Sequence, residues 1–224
     1  MTVEIRRGSS RFPEREPGRA TWHAFSFGSH YDPDNVGFGP MTCHDEHLLG
    51  DGRGFSPHPH RDQVIVTWVV AGALTHSDST GGTHTLRPGE VGVLYAGSGV
   101  EHSEIAAAPQ TRFVQVWLLP DEHDARPAYS VTPVEGAGLV RAVAPTSTAT
   151  LWVARLAAGE SVTLPEAPLV HAFVASGALL RSSLAEPLAA GDAFLVSGGG
   201  EYAVTAGVAT ELLIWAMSAG DRAS

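Results

Sequence analysis

Two triplets in this chain of 224 residues carry side chains suited to metal binding: His58-Pro59-His60 and His102-Ser103-Glu104. In an extended segment, residues two apart point to the same face. Each triplet therefore presents two ligand-type groups in one direction. Two such segments side by side inside a barrel would converge three imidazoles and one carboxylate on a point. That donor set suits one divalent transition metal and leaves one or two positions open for substrate or oxygen. It accepts iron, manganese, cobalt, nickel, copper or zinc. The competing reading is that these are surface or turn histidines, because such triplets arise by chance in a chain with 11 His. Two same-face pairs at corresponding points of a strand and turn pattern favour the metal.

The elements that must position these pairs are short strands. His58 and His60 precede an apolar run at 64–70, and His102 follows another at 91–95. Further runs at 113–119, 151–156, 193–196 and 211–217 are separated by Gly and Pro. Such spacing predicts an all-β sandwich or barrel with few helices, since no stretch has a long 3.6-residue period.

The pattern also repeats. Val69-Val70-Ala71-Gly72-Ala73-Leu74 resembles Val174-Ala175-Ser176-Gly177-Ala178-Leu179, and Leu86-Arg87-Pro88-Gly89-Glu90 resembles Leu188-Ala189-Ala190-Gly191-Asp192. The run around Trp117 matches the one around Trp215. Three matches in the same order predict a duplicated β domain. One barrel is expected over 1–125 and a degenerate copy over 145–224, with 126–144 as a connecting segment. In that copy Thr163 and Pro165 stand where His58 and His60 would be, so no metal is expected there.

Composition narrows the function. All 14 basic residues are Arg, which excludes Schiff-base, pyridoxal and P-loop mechanisms that need a lysine amine. A net charge of −10 argues against nucleic acid as a direct ligand. The single Cys43 excludes an internal disulfide and a cysteine zinc cluster, and points to a reducing cytoplasm. No apolar run is long enough to span a membrane, and no export signal follows the Arg-rich first residues. A cytoplasmic monomer with no membrane contact is expected.

Other chemistry-bearing residues read as structural. Trp68, Trp117 and Trp152 are expected in the core. His44, Asp45, Glu46 and His47 fit no ligand spacing and read as a solvated loop. His76 and His84 bracket a hairpin tip. His171 reads as a hydrogen-bonded core residue, and Cys43 as a buried, inert thiol.

The stretch Gly54-Phe55, His58-Pro59-His60-Arg61, and Gly89-Glu90 through Ala96-Gly97-Ser98-Gly99-Val100-Glu101-His102-Ser103-Glu104 resembles the pirin family of bicupins. The upstream Phe25-Ser26-Phe27-Gly28 and Gly37-Phe38-Gly39-Pro40 are similar too. The resemblance implies two cupin (jelly-roll) β-barrels in one chain, with iron or a related metal held by His58, His60, His102 and Glu104. It also implies one of two functions. One is a quercetin 2,3-dioxygenase, a quercetinase that opens a flavonol-like enolisable aromatic with O₂ and releases carbon monoxide; for that chemistry Glu104 is read here as a ligand with a second, catalytic role, loosening from the metal to accept the proton. The other is a regulatory module whose metal controls binding of a protein partner by its redox state. Two positions depart from the family pattern. Val64 stands where an acidic residue is common, and Gly92 where Gln is common. A carboxylate restored at Val64 is therefore expected to raise turnover, provided the side chain reaches the pocket.

Overall fold

Strands form where the apolar runs predict them, and Gly, Pro and Asp turns separate them. The structure, a computed structural model, describes residues 2–180 and 187–218. The parts of the expected second barrel at 181–186 and 219–224 lie outside the described residues. Apart from a 3₁₀ turn at Gly8–Ser10, the regular structure of the described residues is all strand. No helix among the described residues is long and apolar enough to cross a membrane.

The first strand, β1, is Thr2–Arg6. Eleven more follow: β2 (Phe12–Glu16), β3 (Arg19–His23), β4 (Met41–Leu49), β5 (Gly54–His60), β6 (Val64–Ala71), β7 (Leu74–Asp78), β8 (Thr83–Leu86), β9 (Glu90–Tyr95), β10 (Val100–Ala106), β11 (Thr111–Leu118) and β12 (Ala128–Pro133). β2 to β12 belong to one compact unit, Arg11–Val134. Within it a seven-stranded antiparallel sheet has the order β12-β9-β6-β11-β4-β3-β2, and a four-stranded one the order β5-β10-β7-β8.

The inward faces of these two sheets make the core. Leu49, Val69 and Phe113 of the larger sheet pack with Leu74, Leu86 and Ala106 of the smaller. Ile65, Leu94, Ala96 and Val100 form a second cluster. Burial of each large apolar side chain stabilises the barrel by about 1.5–3 kcal/mol. Because inward residues are two apart, Thr67 falls between Ile65 and Val69, and Gln115 between Phe113 and Trp117. A polar layer is thereby held between two apolar ones.

Residues 44–47 are not a solvated loop. They lie in β4, which is paired on both sides by β3 and β11, and all four side chains are buried. A central strand tolerates them because the charges are matched. On one face Glu46 accepts hydrogen bonds from Arg11 at 2.7 Å and Arg112 at 2.5 Å. On the other, Asp45 and His47 turn into the barrel.

The second unit joins Glu135–Ser224 with Met1–Ser10. Its six-stranded sheet has β1 at one edge, paired to Ala193–Ser197 with Thr2 opposite Ser197. Asp192 fixes this edge by accepting from Arg7 and from the Gly8 amide, both at 2.8 Å. The first ten residues therefore do not belong with the first barrel. Nor is 126–144 merely a connector: β12 pairs β9, and Gly138–Thr146 pairs Ala149–Leu156. Composition marks these residues as loop-like, but ladder hydrogen bonds recruit them.

The duplication is visible in matched details. Gly72 and Gly177 have φ of +79° and +82°, and a Cβ on either would strike a threonine, Thr111 or Thr210. Each threonine hydroxyl accepts from the next amide, Ala73 at 3.2 Å and Ala178 at 3.1 Å.

Candidate metal centre

β10 lies between β5 and β7. Against β5, His102 faces His58 and Val100 faces His60; against β7, Glu104 faces His76 and His102 faces Asp78. Directly opposed residues share a face of the sheet. His58, His60, His76, Asp78, His102 and Glu104 therefore converge on the barrel interior. The register of β10 against β5 slips between His102 and Glu104, from His58 to Phe55, so one extra residue of β5 sits at Ser56-Pro57. Bulges of this kind re-aim neighbouring side chains.

Ligand atoms of His58, His60 and His102 lie within 4.8 Å of one another. The Nδ1 of His58 lies 2.8 Å from the Ser56 carbonyl, and that of His60 3.0 Å from Gln63 Oε1. These acceptors assign the proton to Nδ1 and leave Nε2 as a lone pair. His60 Nε2 and His102 Nε2 are buried without a hydrogen-bond partner. A buried polar atom left so costs about 1–3 kcal/mol. Burial, followed by the nearby His58, His60 and His76, lowers the His102 pKa to about 3, and burial also lowers that of His60. Neutral rings with free nitrogens pointing at one spot fit a divalent transition metal.

Glu104 stands differently from the sequence expectation. It groups with His102 and His76 at that spacing, rather than with all three expected imidazoles. Its buried carboxylate accepts from Gln115 Nε2 at 2.9 Å to both oxygens and from Thr67 Oγ1 at 3.5 Å. Burial raises its pKa to about 7 against the pull of those donors. His102 is the residue shared by the two groups, and His76, read from sequence as bracketing a hairpin tip, belongs to the second. His76 and Asp78 lie in β7 just before the turn. The signal that could have found them was the same two-apart spacing as in the other triplets.

His58, His60 and Glu104 open on a cavity of about 220 Å³ walled by Phe27, Phe55 and Trp117. Trp117 is thus a wall as well as a core residue, with its ring edge-on to His60 at 4.9 Å. The same cavity is lined by Asp45 and by His23, whose Nδ1 is 2.8 Å from Asp45 Oδ2 and whose Nε2 is 3.3 Å from Glu14 Oε2. Burial opposes the His23 cation, but the bonds and charges of Asp45 and Glu14 outweigh it and raise the pKa. His47 also lines the cavity, and burial lowers its pKa to about 4. Cys43 is buried as expected, and burial pushes its thiol well up.

The two departures now have physical readings. Thr67 faces the interior, so Val64, three residues earlier on a regular stretch of β6, points to the opposite side. It is 2% exposed and does not line the cavity, which overturns the expectation that a carboxylate there would act on substrate. Gly92 faces inward opposite Thr67, and a Cβ on it would lie 2.5 Å from Tyr129 Oη. Tyr129 occupies the space that a larger residue would need.

The family model for Pirin matches residues 5–118. A Mycobacterium tuberculosis protein named "Putative quercetin 2,3-dioxygenase" is 39% identical, covering 100% of this chain and 99% of that protein. The Escherichia coli protein named "Quercetin 2,3-dioxygenase" is 32% identical over 129 residues, 57% of this chain and 56% of that one. The crystal structure of the bacterial pirin YhhW from Escherichia coli, in complex with nickel(II), superposes with a TM-score of 0.88 at 22% identity, over 96% of this chain and 99% of that one.

Proposed function

The chain belongs to the pirin family, and from that premise we propose that it is a metal-dependent dioxygenase that opens a flavonol-like enolisable aromatic with O₂ and releases carbon monoxide. The observation that carries this reading is the pair of unpartnered Nε2 atoms, on His60 and His102, beside a cavity with aromatic walls.

His58, His60, His102 and Glu104 would hold one divalent transition metal. Iron is the natural candidate for oxygen chemistry, and nickel is the ion in the related bacterial structure. When bound, the metal supplies positive charge that favours the deprotonated substrate and open positions for chemistry with oxygen.

The chain's own residues supply the rest. Phe27, Phe55 and Trp117 exclude water and give a flat aromatic ring apolar faces to pack against. Glu104 lines the same cavity, and its carboxylate, on loosening from the metal, would take the proton of the substrate's enolic hydroxyl. Gln115 and Thr67 donate to that carboxylate and hold it in place.

An oxygen electrode with quercetin tests the reading. Iron- or nickel-loaded protein should consume oxygen with quercetin, and stripped protein should not. If no loaded form consumes oxygen with any flavonol, the redox-controlled binding module becomes the better account.

A further inference from the structure

We propose that Asp78, His76 and His102 form a hydrogen-bonded relay that fixes the tautomer of His102, making His76 a positioning residue for the metal centre. This rests on the metal-centre reading above and adds to it the group that prepares one ligand.

The hydrogen-bond partners of the two rings fix where each proton sits. His102 Nδ1 and His76 Nδ1 are 3.4 Å apart, so one must donate and the other accept. On its far side His76 Nε2 lies 3.0 Å from Asp78 Oδ2, and an ionised carboxylate only accepts. His76 therefore carries its proton on Nε2. A neutral imidazole has only one, which leaves His76 Nδ1 as the acceptor. His102 must then carry its proton on Nδ1. Its Nε2, buried and without a partner, is left as a bare lone pair.

The surroundings hold this arrangement. The amide and hydroxyl of Thr80 donate to Asp78 Oδ1 at 2.8 and 2.5 Å, which leaves Oδ2 for His76. The ring of Tyr129 stacks on that of His76, 3.7 Å between centroids and 4° from parallel, and Gly92 leaves room for it. Both nitrogens of His76 are thus engaged, which suits a positioning role better than a ligand role. His58 and His60 reach the same tautomer through oxygen acceptors, Ser56 O and Gln63 Oε1. His102 is the buried member of the three, and an imidazole tied to a carboxylate replaces the oxygen. Partners of this kind orient metal-ligating histidines, and their loss typically costs about 10–100-fold in metal affinity.

The competing assignment makes His76 a cation that donates from both nitrogens. His102 would then hold its proton on Nε2, aimed at His58 and His60, where it would oppose metal binding. The two assignments differ in an observable way.

The test is ¹⁵N imidazole NMR of metal-free protein at pH about 8, where an ordinary histidine is neutral, combined with Ni(II) titration. The relay predicts the Nδ1–H tautomer for His102 in wild type. In His76→Phe that preference should be lost and Ni(II) should bind about 10–100-fold more weakly. His76→Gln, which keeps one donor and one acceptor, should recover most of the affinity. If His76→Phe fails to fold, Asp78→Ala should weaken the His102 preference in the same direction. An Nε2–H tautomer in wild type, or an unchanged tautomer and affinity in the folded variant, would overturn the proposal. Failure of wild type to bind Ni(II) would instead overturn the metal-centre reading, since the tautomer is measured without metal.

Discussion

Gln115 donates its side-chain amide to both carboxylate oxygens of Glu104, each at 2.9 Å, from the strand opposite. The amide is itself fixed, because Gln115 Oε1 accepts the Trp117 indole N–H at 3.0 Å. An amide so placed favours the charged form of a carboxyl that burial would otherwise protonate. Gln115→Leu should therefore raise the Glu104 pKa further above 7 and let protons compete better with metal. Isothermal titration at pH about 7 should show affinity reduced by about tenfold or more, with the deficit shrinking as pH rises. An affinity that matches wild type at every pH would contradict this.

Glu104 also gives the metal-free protein a characteristic pH dependence. Its folded pKa of about 7 lies above the ordinary 4.5, so between these values the folded state binds more protons than the unfolded one. This group's contribution is full below pH about 4.5 and is lost as pH rises through about 7. The lowered pKa values of His44, His47 and His102 work in the opposite direction between about pH 3 and 6.5. The difference between wild type and Glu104→Gln isolates the carboxyl. Denaturant melts should show that difference moving by up to about 3 kcal/mol across the window; a flat difference would show that the group is not protonated in the fold.

Removing one imidazole should empty the site and spare the barrel. His58 is only partly buried and lies outside both apolar clusters. His58→Ala should keep its circular dichroism and melting temperature while elemental analysis finds little metal. Full metal content in that variant would refute the ligand assignment.

One metal per chain is expected. Among the described residues, both groups of potential ligands lie in the first unit. In the second, Thr163 is exposed at the end of a short strand, where His58 and His60 have no counterpart. Mass spectrometry under native conditions should give one metal ion per polypeptide, and a second ion at similar occupancy would count against the account.

Val64→Glu should destabilise the protein and leave any activity no higher. Val64 is buried on the face of β6 that points away from the cavity, and no cationic group is paired with it across β9 or β11, where Tyr95 and Leu118 are its neighbours. An unpaired carboxylate in such a place costs about 3 kcal/mol or more. A thermal melt lowered by several degrees checks this, and increased oxygen uptake would restore a role for that position.

How far the sequence could be read depended on how local the deciding interaction was. Strand alternation is local, so the two-apart pairs His58/His60 and His102/Glu104 could be placed on one face before any pairing was known. The same rule applied to His76 and Asp78, but the Gly and Thr residues beyond them read as a turn and hid the strand. β4 was opaque for another reason. Its run His44-Asp45-Glu46-His47 has no apolar alternation, and only the distant Arg11 and Arg112 make Glu46 acceptable in a buried strand. The place of β1 depends on a pairing with Ala193–Ser197 that nothing near residue 2 announces. Val64 shows the converse limit, because a departure from a family pattern does not reveal which way the side chain points.

Whether this metal centre opens a flavonol with oxygen is decided by the carbon monoxide released per oxygen consumed when metal-loaded protein is given quercetin. Wild type should release one carbon monoxide for each O₂ consumed, and His58→Ala should show neither gas exchange. Oxygen uptake without carbon monoxide, or equal turnover in both proteins, would contradict it.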